Sequence, residues 1–277
     1  MNERSAVTPG PPAGIPQVRA YAATSHGLIH YVRDGRGAPV LLLHQTPRSW
    51  DEYRDVLPLL GARFRAIAMD TLGFGASDRP AGPWSIELFA SGVLALCDAL
   101  ELDRVALVGH HTGGVIATEV AARAPKRVSA LVLSGVPYVD AARRAEVARR
   151  PPIDEVTPRP DGSHLIDLWN NRRPYYPDDR PDLLDRLVRD ALNVLDRVEE
   201  GHRAVNAYEM ENRIGLVRAP ALVMCGELDE FSRPDMDALA GRLGARTELL
   251  PGTGVPSADH RPDLFAAAVA RFLGQVL

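Results

Sequence analysis

The chain has 277 residues, of which 45% are hydrophobic and 25% are charged, a composition typical of a globular protein with one large domain. Its formal net charge of -4 gives no electrostatic basis for binding nucleic acid or an anionic membrane surface. No apolar run approaches the length of about 18 residues that a membrane-spanning helix needs. Two cysteines in separate apolar stretches fit a reducing compartment, so we expect a cytoplasmic protein without a structural disulfide.

Short apolar runs alternate with helical patterns along most of the chain. Residues 18–23 and 28–33 are joined by a turn signal and predict a hairpin. Residues 39–44 (PVLLLH) are continuously apolar, as expected of a strand that is buried on both faces. Further strands are predicted at 64–69, 105–108, 128–133, 221–225 and 247–250, and helices at 49–60, 86–100, 113–124, 235–243 and 262–272. This alternation indicates an α/β fold with a mostly parallel, doubly wound sheet.

The alternation is interrupted between residues 137 and 213, where helical segments are broken by prolines and no strand pattern occurs. An insertion of this size between two strands predicts a helical cap over the carboxyl edge of the sheet, where open α/β sheets bind their ligands. We therefore predict a core made of residues 18–136 and 214–277 and a cap made of residues 137–213. Residues 1–17, rich in proline and glycine and without an apolar signal segment, are predicted to form a flexible leader.

Five segments resemble, in order, the motifs of the α/β-hydrolase family. LLLHQTPRSW resembles the His-Gly-x-Pro segment that follows its third strand, and AMDTLGFGASDRP resembles its Asp-x-x-Gly-x-Gly-x-Ser stretch. VALVGHHTGG resembles the strand-turn-helix elbow that carries the nucleophile, and ALVMCGELDE resembles the strand that delivers the acid. LLPGTGVPSADHRP resembles the loop that delivers the histidine. The resemblance spans about residues 25–277 and implies a capped α/β-hydrolase fold, as in epoxide hydrolases, C–C hydrolases and haloalkane dehalogenases.

The nucleophile position of this resemblance holds a histidine. An elbow is a tight turn that exposes one side chain above the sheet, and flanking glycines permit its strained backbone. Gly109 and Gly113 supply these glycines, and the exposed position is His111, where the family has serine, cysteine or aspartate. The usual histidine is missing as well, because its position in the final loop, seven residues before Pro262, holds Val255.

The altered site predicts a different use of the imidazole. The acid position of the family corresponds to Asp229. An imidazole extends further from the backbone than a serine hydroxyl, and Val255 leaves open the space that the usual ring fills. We therefore predict that the His111 ring meets Asp229 in a dyad, in which the carboxylate fixes the tautomer and raises the basicity of the other nitrogen. His260 is expected to be a helix-terminus residue rather than a displaced base.

The remaining candidate residues surround this dyad. The backbone amides of Thr46 and Thr112 are expected to stabilise an oxyanion. Gln45, which replaces the family's glycine, is expected either to donate to the substrate or to fill part of the oxyanion hole. Three aromatic side chains of the predicted cap are candidates for substrate contact: Trp169, Tyr175 and Tyr176. In epoxide-hydrolase relatives cap tyrosines polarise an oxygen, but packing of the lid on the sheet is the commoner role of such side chains.

Several functions stay open for such a site. A His-Asp dyad activates water for hydrolysis, abstracts a proton in a lyase or isomerase step, or attacks a carbonyl directly; general-base use is favoured because acyl-imidazoles are labile. A non-catalytic ligand-binding protein on the same scaffold and a cofactor-free oxygenase are the alternatives. No metal site is predicted, because the adjacent His110 and His111 point in different directions. We expect a small neutral or mildly acidic organic substrate and no cofactor; the oligomeric state is left open.

Overall fold

The computed structural model describes residues 17–277, so the predicted leader, residues 1–17, lies almost entirely outside the described residues. The strands of this range are β1 (Val18–Thr24), β2 (Gly27–Asp34), β3 (Pro39–Leu43), β4 (Arg65–Met69), β5 (Val105–His110), β6 (Val128–Ser134), β7 (Ala221–Gly226) and β8 (Arg246–Leu250). Its α-helices are α1 (Leu57–Gly61), α2 (Ile86–Ala99), α3 (Thr112–Arg123), α4 (Ala141–Val147), α5 (Ser163–Arg172), α6 (Pro181–Leu192), α7 (Glu200–Ala207), α8 (Met236–Leu243), α9 (Ser257–His260) and α10 (Pro262–Val276). No helix of the described range is long and apolar enough to cross a membrane.

The eight strands form one sheet in the order β1-β2-β4-β3-β5-β6-β7-β8. β2 runs antiparallel to both β1 and β4, and every other neighbouring pair is parallel. Side chains of the central strands alternate between two cores: Leu41 and Leu43 pack on one side of β3, and Val40 and Leu42 pack on the other. The continuous apolar pattern of this strand therefore reflects burial on both faces, and the predicted mostly parallel, doubly wound sheet is confirmed.

One predicted helix is broken into two pieces. The spacing of apolar residues predicted a helix over 49–60, but a short 3-10 turn at Trp50–Tyr53 precedes α1. The carboxylate of Glu52 is drawn inward from this turn and accepts hydrogen bonds from Gln45. Pro58 lies in the first turn of α1, where its missing amide costs no helical hydrogen bond, whereas a helix continuing through it from residue 49 would lose one. Buried polar contacts and this proline therefore override the periodic pattern.

Between β6 and β7 the described chain contains helices and loops only, and we call residues 135–220 the helical insertion. Helix α7 packs against α3 of the core, where Gly201 meets the side chain of Thr46: a Cβ at this glycine would lie 2.5 Å from the Thr46 Oγ1 atom. The helical insertion therefore lies directly over the end of β3. The residue boundaries that we gave for a separate cap domain, 137–213, stay a prediction.

A buried ionic cluster attaches the helical insertion to the core. Arg48 is fully buried, and its Nη1 donates to Asp190 Oδ2 of α6 at 3.2 Å. Its Nη2 lies 3.1 Å from Asp259 Oδ2 of α9. Arg186 of α6 bridges the same region, because it contacts Asp259 at 3.0 Å and Asp51 at 2.7 Å. Burial alone would raise the pKa of Asp51, but the hydrogen bond and charge of Arg186 lower it to about 2, so this carboxylate is ionised at neutral pH.

Replacing Arg48 with methionine should strongly destabilise the protein. The substitution keeps the length of the side chain but leaves Asp190 and Asp259 buried without their shared cation, and breaking a buried pair in this way costs about 3 kcal/mol or more. Urea unfolding followed by far-UV circular dichroism measures the change. Arg180→Met is the matched control, because Arg180 pairs with Asp182 on the protein surface and its loss should cost less than about 1 kcal/mol. Equal losses in the two variants would contradict this role of the cluster.

Candidate active site

A cavity of about 730 Å³ lies between the carboxyl ends of the strands and the helical insertion. Six residues that the sequence predicted for the site line it: Gln45, Thr46, His111, Thr112, Tyr175 and Val255. Further lining side chains come from helices of the insertion, including Arg143 of α4 and His202 of α7. The cavity is thus placed where open α/β sheets bind ligands, with walls from both the core and the insertion.

The elbow between β5 and α3 places His111 at the wall of this cavity. His111 has φ 43° and ψ -113°, a backbone conformation that is strained for a residue with a Cβ atom. Glycines allow the close packing around it: a Cβ on Gly109 would lie 2.4 Å from the Gly113 carbonyl oxygen. A Cβ on Gly113 would lie 1.9 Å from the Leu43 carbonyl oxygen. The turn therefore holds one imidazole above the sheet, and only small residues fit beneath it.

Asp229, in the loop after β7, is the carboxylate nearest to the His111 ring. The Asp229 Oδ2 atom lies 3.3 Å from His111 Nε2, a long contact whose alignment leaves Nε2 without a well-formed hydrogen bond. The other oxygen, Oδ1, accepts hydrogen bonds from the amides of Phe231 and Ser232, each at 3.0 Å. Gly135 leaves the space for this contact, because a Cβ there would lie 2.9 Å from Nε2 and 3.0 Å from Oδ2. The carboxylate is thus fixed by the backbone and points one oxygen at the imidazole.

Two aromatic rings flank the His111 imidazole. The Phe231 ring lies nearly parallel to it, at 6.2 Å between centroids and an interplanar angle of 27°. The His110 ring meets it edge-on, at 4.6 Å and 78°. With Asp229 at Nε2, the proton of the neutral ring belongs on Nε2, and Nδ1, which has no hydrogen-bond partner among residues 17–277, is left as the acceptor. His111 lines the cavity, so this acceptor is available to a bound molecule.

A second buried ion pair lies behind the elbow. His110 Nδ1 contacts Glu52 Oε1 at 2.5 Å, and both side chains are buried. The two oxygens of Glu52 also accept from the Gln45 backbone amide at 2.8 Å and from its side-chain Nε2 at 2.9 Å. The Gln45 side chain is therefore held by Glu52 at the cavity wall. His44 supports the same loop, because its Nδ1 donates to the Gln45 carbonyl and its Nε2 accepts from the Thr71 amide.

These two pairs shift the pKa values of the adjacent histidines in opposite directions. Burial alone would lower the pKa of His110, but the Glu52 carboxylate raises it above the ordinary value and so favours the protonated ring. Burial alone would raise the pKa of Glu52, but His110 lowers it to about 2. Burial lowers the pKa of His111, Asp229 opposes that effect, and the charge on His110 adds to it. The result is a lowered pKa, so His111 is a neutral proton acceptor at pH 7.

The predicted oxyanion donors lie next to each other. The Thr46 and Thr112 hydroxyls are 3.0 Å apart, which joins the loop after β3 to the start of α3. Both residues line the cavity, and neither backbone amide donates a hydrogen bond to another residue of the described chain. Two free amides beside the elbow are an arrangement that can bind a developing oxyanion.

Three other candidates lie away from the cavity. Trp169 and Tyr176 do not line it; they pack with leucines of α6 in a small apolar cluster within the insertion. Both side chains were candidates for substrate contact, and the structure instead gives them the packing role that is commoner for such residues. Tyr175 does line the cavity and is 40% exposed. His260 ends α9 outside the lining, and its pKa is lowered by burial.

One cluster has the composition of a metal site. Asp154, Glu199 and His202 each place a ligand atom within 4.8 Å of the others. However, Arg172 donates to Asp154 through Nε at 2.5 Å and through Nη2. The guanidinium already neutralises the carboxylate that a cation would need, so we assign no metal to this cluster.

The sequence did not predict four residues that shape the site: Glu52, Gly135, Arg143 and Phe231. A charged residue such as Glu52 in an amphipathic pattern is normally solvated, and its burial is explained by its contacts with Gln45 and with His110, 58 residues away. Gly135 offered a weak signal, because a glycine two residues after the strand predicted at 128–133 is compatible with close approach of another group.

Replacing Glu52 with glutamine should raise the pKa of His111. Without the carboxylate, burial lowers the pKa of His110 and favours its neutral ring. The repulsion by His110 affects His111 more strongly than the attraction by Glu52, so removing both leaves a net rise. Titration of the ring nitrogens by 15N NMR measures the value. Glu119→Gln is the control, because Glu119 is a buried glutamate that binds Tyr208 and Arg213 instead of a histidine; a lowered or unchanged His111 pKa in Glu52→Gln would contradict the prediction.

Residues 38–184 match the family described as the alpha/beta hydrolase fold. Haloalkane dehalogenase 2 of Mycobacterium tuberculosis (strain ATCC 25618 / H37Rv) is 30% identical over 270 residues, which cover 91% of this chain and 93% of that protein. The 2-hydroxy-6-oxo-2,4-heptadienoate hydrolase of Pseudomonas putida is 42% identical over 105 residues, 36% of this chain and 38% of that protein. The crystal structure of the enol-lactonase from Burkholderia xenovorans LB400 has a TM-score of 0.75 and 26% identity, covering 92% of this chain and 100% of that chain. The chain therefore belongs to the α/β-hydrolase fold family of enzymes.

Proposed function

We propose that the protein hydrolyses a small organic carbonyl compound and that His111 and Asp229 act as a general-base dyad in place of a serine-histidine-aspartate triad. The observation that carries the proposal is the position of the elbow imidazole. It contacts a buried carboxylate at 3.3 Å through Nε2 and lines a cavity of about 730 Å³. A nucleophilic hydroxyl, thiol or carboxylate is absent from position 111, so a base that activates water is the simplest use of this geometry.

In the proposed reaction, a water molecule between His111 Nδ1 and the substrate carbonyl carbon loses a proton to Nδ1. The water oxygen bonds to the carbon, and the carbonyl π electrons move to its oxygen. The resulting imidazolium is stabilised by Asp229, whose pKa is lowered because the His111 contact outweighs the effect of its burial. Collapse of the tetrahedral intermediate breaks the bond to the leaving group, which takes the proton back from Nδ1. The His111 ring is thereby restored to its neutral form beside the ionised Asp229.

The negative charge that develops on the carbonyl oxygen needs donors that are already in place. The amides of Thr46 and Thr112 fit this role, because both residues line the cavity beside His111. Their hydroxyls are 3.0 Å apart, so the two segments keep a fixed spacing. Backbone amides donate regardless of side chain, so these donors are compatible with the replacement of the family's glycine by Gln45.

The relatives support a small organic substrate. By their names, they are a haloalkane dehalogenase, a hydrolase of 2-hydroxy-6-oxo-2,4-heptadienoate and an enol-lactonase. Each name refers to a small organic molecule or to a reaction on one, although the bonds differ. A cavity of about 730 Å³ is large enough for a compound of this size.

Replacing His111 with alanine should abolish most of the turnover of the wild-type protein on its best substrate in a panel of small esters, lactones and β-diketones. Loss of a positioned general base lowers the rate by about 10²- to 10⁴-fold, and Asp229→Asn should also lower it because it removes the orienting carboxylate. His260→Ala is the control, since His260 lies outside the cavity, and kcat/KM should stay within about twofold of the wild type. Undiminished turnover in His111→Ala would refute the dyad.

The outcomes for the wild-type protein separate the alternatives. Ligand binding without turnover anywhere in the panel would support a binding protein. Oxygen consumption with an aromatic substrate would support a cofactor-free oxygenase. A covalent acyl-histidine found by mass spectrometry of a rapidly quenched reaction would replace the general-base step with nucleophilic attack by Nδ1.

The pH dependence of kcat/KM should have an acid limb that lies below pH 6.5. His111 accepts a proton only when it is neutral, and its pKa is lowered from the ordinary value of 6.5, mainly by burial. Activity should therefore be constant around pH 7 and fall as the pH decreases through the His111 pKa. In Glu52→Gln the same limb should move to higher pH. A limb that does not move with the His111 pKa measured by NMR would show that another group is the base.

A further inference from the structure

The wall of the cavity is strongly basic although the chain as a whole has a formal net charge of -4. Five arginines and a single glutamate line it: Arg143, Arg144, Arg150, Arg172, Arg203 and Glu199. Each arginine has a carboxylate partner outside the lining: Asp235, Glu211, Glu146, Asp154 and Glu155, respectively. The positive ends of these pairs therefore face the cavity and the negative ends face away from it. Such an arrangement attracts an anion into a pocket with apolar walls.

Arg143 differs from the other four arginines. Its Nη1 donates to Asp235 Oδ2 at 3.1 Å, but its Nη2 is buried and has no hydrogen-bond partner among the described residues. Arg144 and Arg172, by contrast, each engage a carboxylate through two nitrogens. A buried charged donor without a partner is costly, and a ligand that accepts a hydrogen bond from it recovers that cost.

The Arg143 side chain is held firmly in place. Its amide is capped by Asp140 Oδ1 at 2.8 Å, which fixes the first turn of α4. Its guanidinium carbon lies 4.6 Å from the centroid of the Phe231 ring, a cation–π contact. Asp235 is held in turn, because its Oδ2 also accepts from the Tyr138 amide at 3.1 Å. The guanidinium is therefore held at the cavity wall, and a small shift of the side chain brings the unpartnered Nη2 donor to a bound ligand.

Phe231 links Arg143 to the dyad. The Arg143 guanidinium carbon lies 4.6 Å from the centroid of the Phe231 ring, and this centroid lies 6.2 Å from that of the His111 ring. The guanidinium is therefore within about 11 Å of the imidazole. A molecule with two functional groups a few bonds apart can reach both side chains. One group would lie at His111 Nδ1 and the other at Arg143 Nη2.

We propose that the substrate is an organic anion, whose carboxylate is bound by Arg143 while its reactive carbonyl lies at His111. This assignment of a substrate class rests on the proposed function. A carboxylate fits because it is a planar monoanion that accepts directly from a guanidinium edge. A phosphate dianion fits less well, since the other lining arginines are already paired with carboxylates.

The test compares carboxylates with the corresponding neutral amides. Ligand-observed NMR titration gives the Kd of hexanoate and hexanamide for the wild-type protein, Arg143→Gln and Arg143→Lys. We expect the wild-type protein to bind the carboxylate more tightly than the amide. Arg143→Gln should weaken hexanoate binding by about 10- to 100-fold. Arg143→Lys should give an intermediate loss, because lysine keeps the positive charge but lacks the planar edge of the guanidinium. Amide binding should change less than twofold. Arg242→Gln is the control, because Arg242 stacks on Tyr138 at 4.7 Å, as Arg143 does on Phe231, but lies outside the cavity lining.

Binding and turnover separate the two proposals. His111→Ala should keep the preference for hexanoate over hexanamide, because in the proposal this preference comes from Arg143 and not from the dyad. Unchanged hexanoate affinity in Arg143→Gln and Arg143→Lys, with thermal melting showing both to be folded, would overturn the assignment whatever the fate of His111. Loss of hexanoate binding in Arg143→Gln together with undiminished turnover in His111→Ala would refute the dyad and leave the anion site intact.

Discussion

The site depends on one constraint: a histidine must stay neutral while it is buried among ionised groups. His111 contacts the carboxylate of Asp229, which by itself favours the charged ring. Protonation is favoured at the adjacent His110 instead, because Glu52 lies 2.5 Å from it and raises its pKa, whereas the pKa of His111 is lowered. The neutral His111 ring keeps an acceptor nitrogen at the elbow. The pKa of His111 is thereby kept below its ordinary value, and the ring is neutral at pH 7.

The same charges connect the base to the helical insertion. Arg48 helps to lower the pKa of Glu52, and it binds Asp190 of α6 at 3.2 Å. Glu52 in turn holds Gln45, which stands before Thr46 at the cavity wall. The residues that attach the insertion, that support the loop after β3 and that set the charge of His110 therefore form one continuous network. Removing one member of such a buried network destabilises the protein, because the remaining partner is left desolvated without its hydrogen bond or opposite charge.

Much of the fold followed from local patterns, and much of the site did not. Continuous apolar runs and their spacing predicted the strands, since burial on both faces leaves a direct mark on composition. The elbow motif placed His111, and the resemblance of the segment ALVMCGELDE to the family's acid-bearing strand predicted a partner at Asp229, which lies 3.3 Å away. Pairs such as Glu52–His110 and Arg143–Asp235 join residues 58 and 92 positions apart. Periodicity holds no information on such contacts, because either residue alone is typical of a solvated surface. The helix predicted over residues 49–60 failed for the same reason.

The position of Val255 shows why the loss of one family histidine need not end catalysis. In a serine hydrolase of this family the catalytic histidine belongs to the last loop, and its backbone is not part of the elbow. In this chain the imidazole belongs to the elbow itself, at His111, where φ is 43°, and the ring needs only a small residue opposite it. Val255 lines the cavity, and Gly135 has no Cβ atom that would separate the imidazole from Asp229. A histidine at position 111 in this geometry therefore requires a glycine at position 135. In the proposed mechanism, one residue of the elbow therefore performs a task that a serine enzyme divides between two segments.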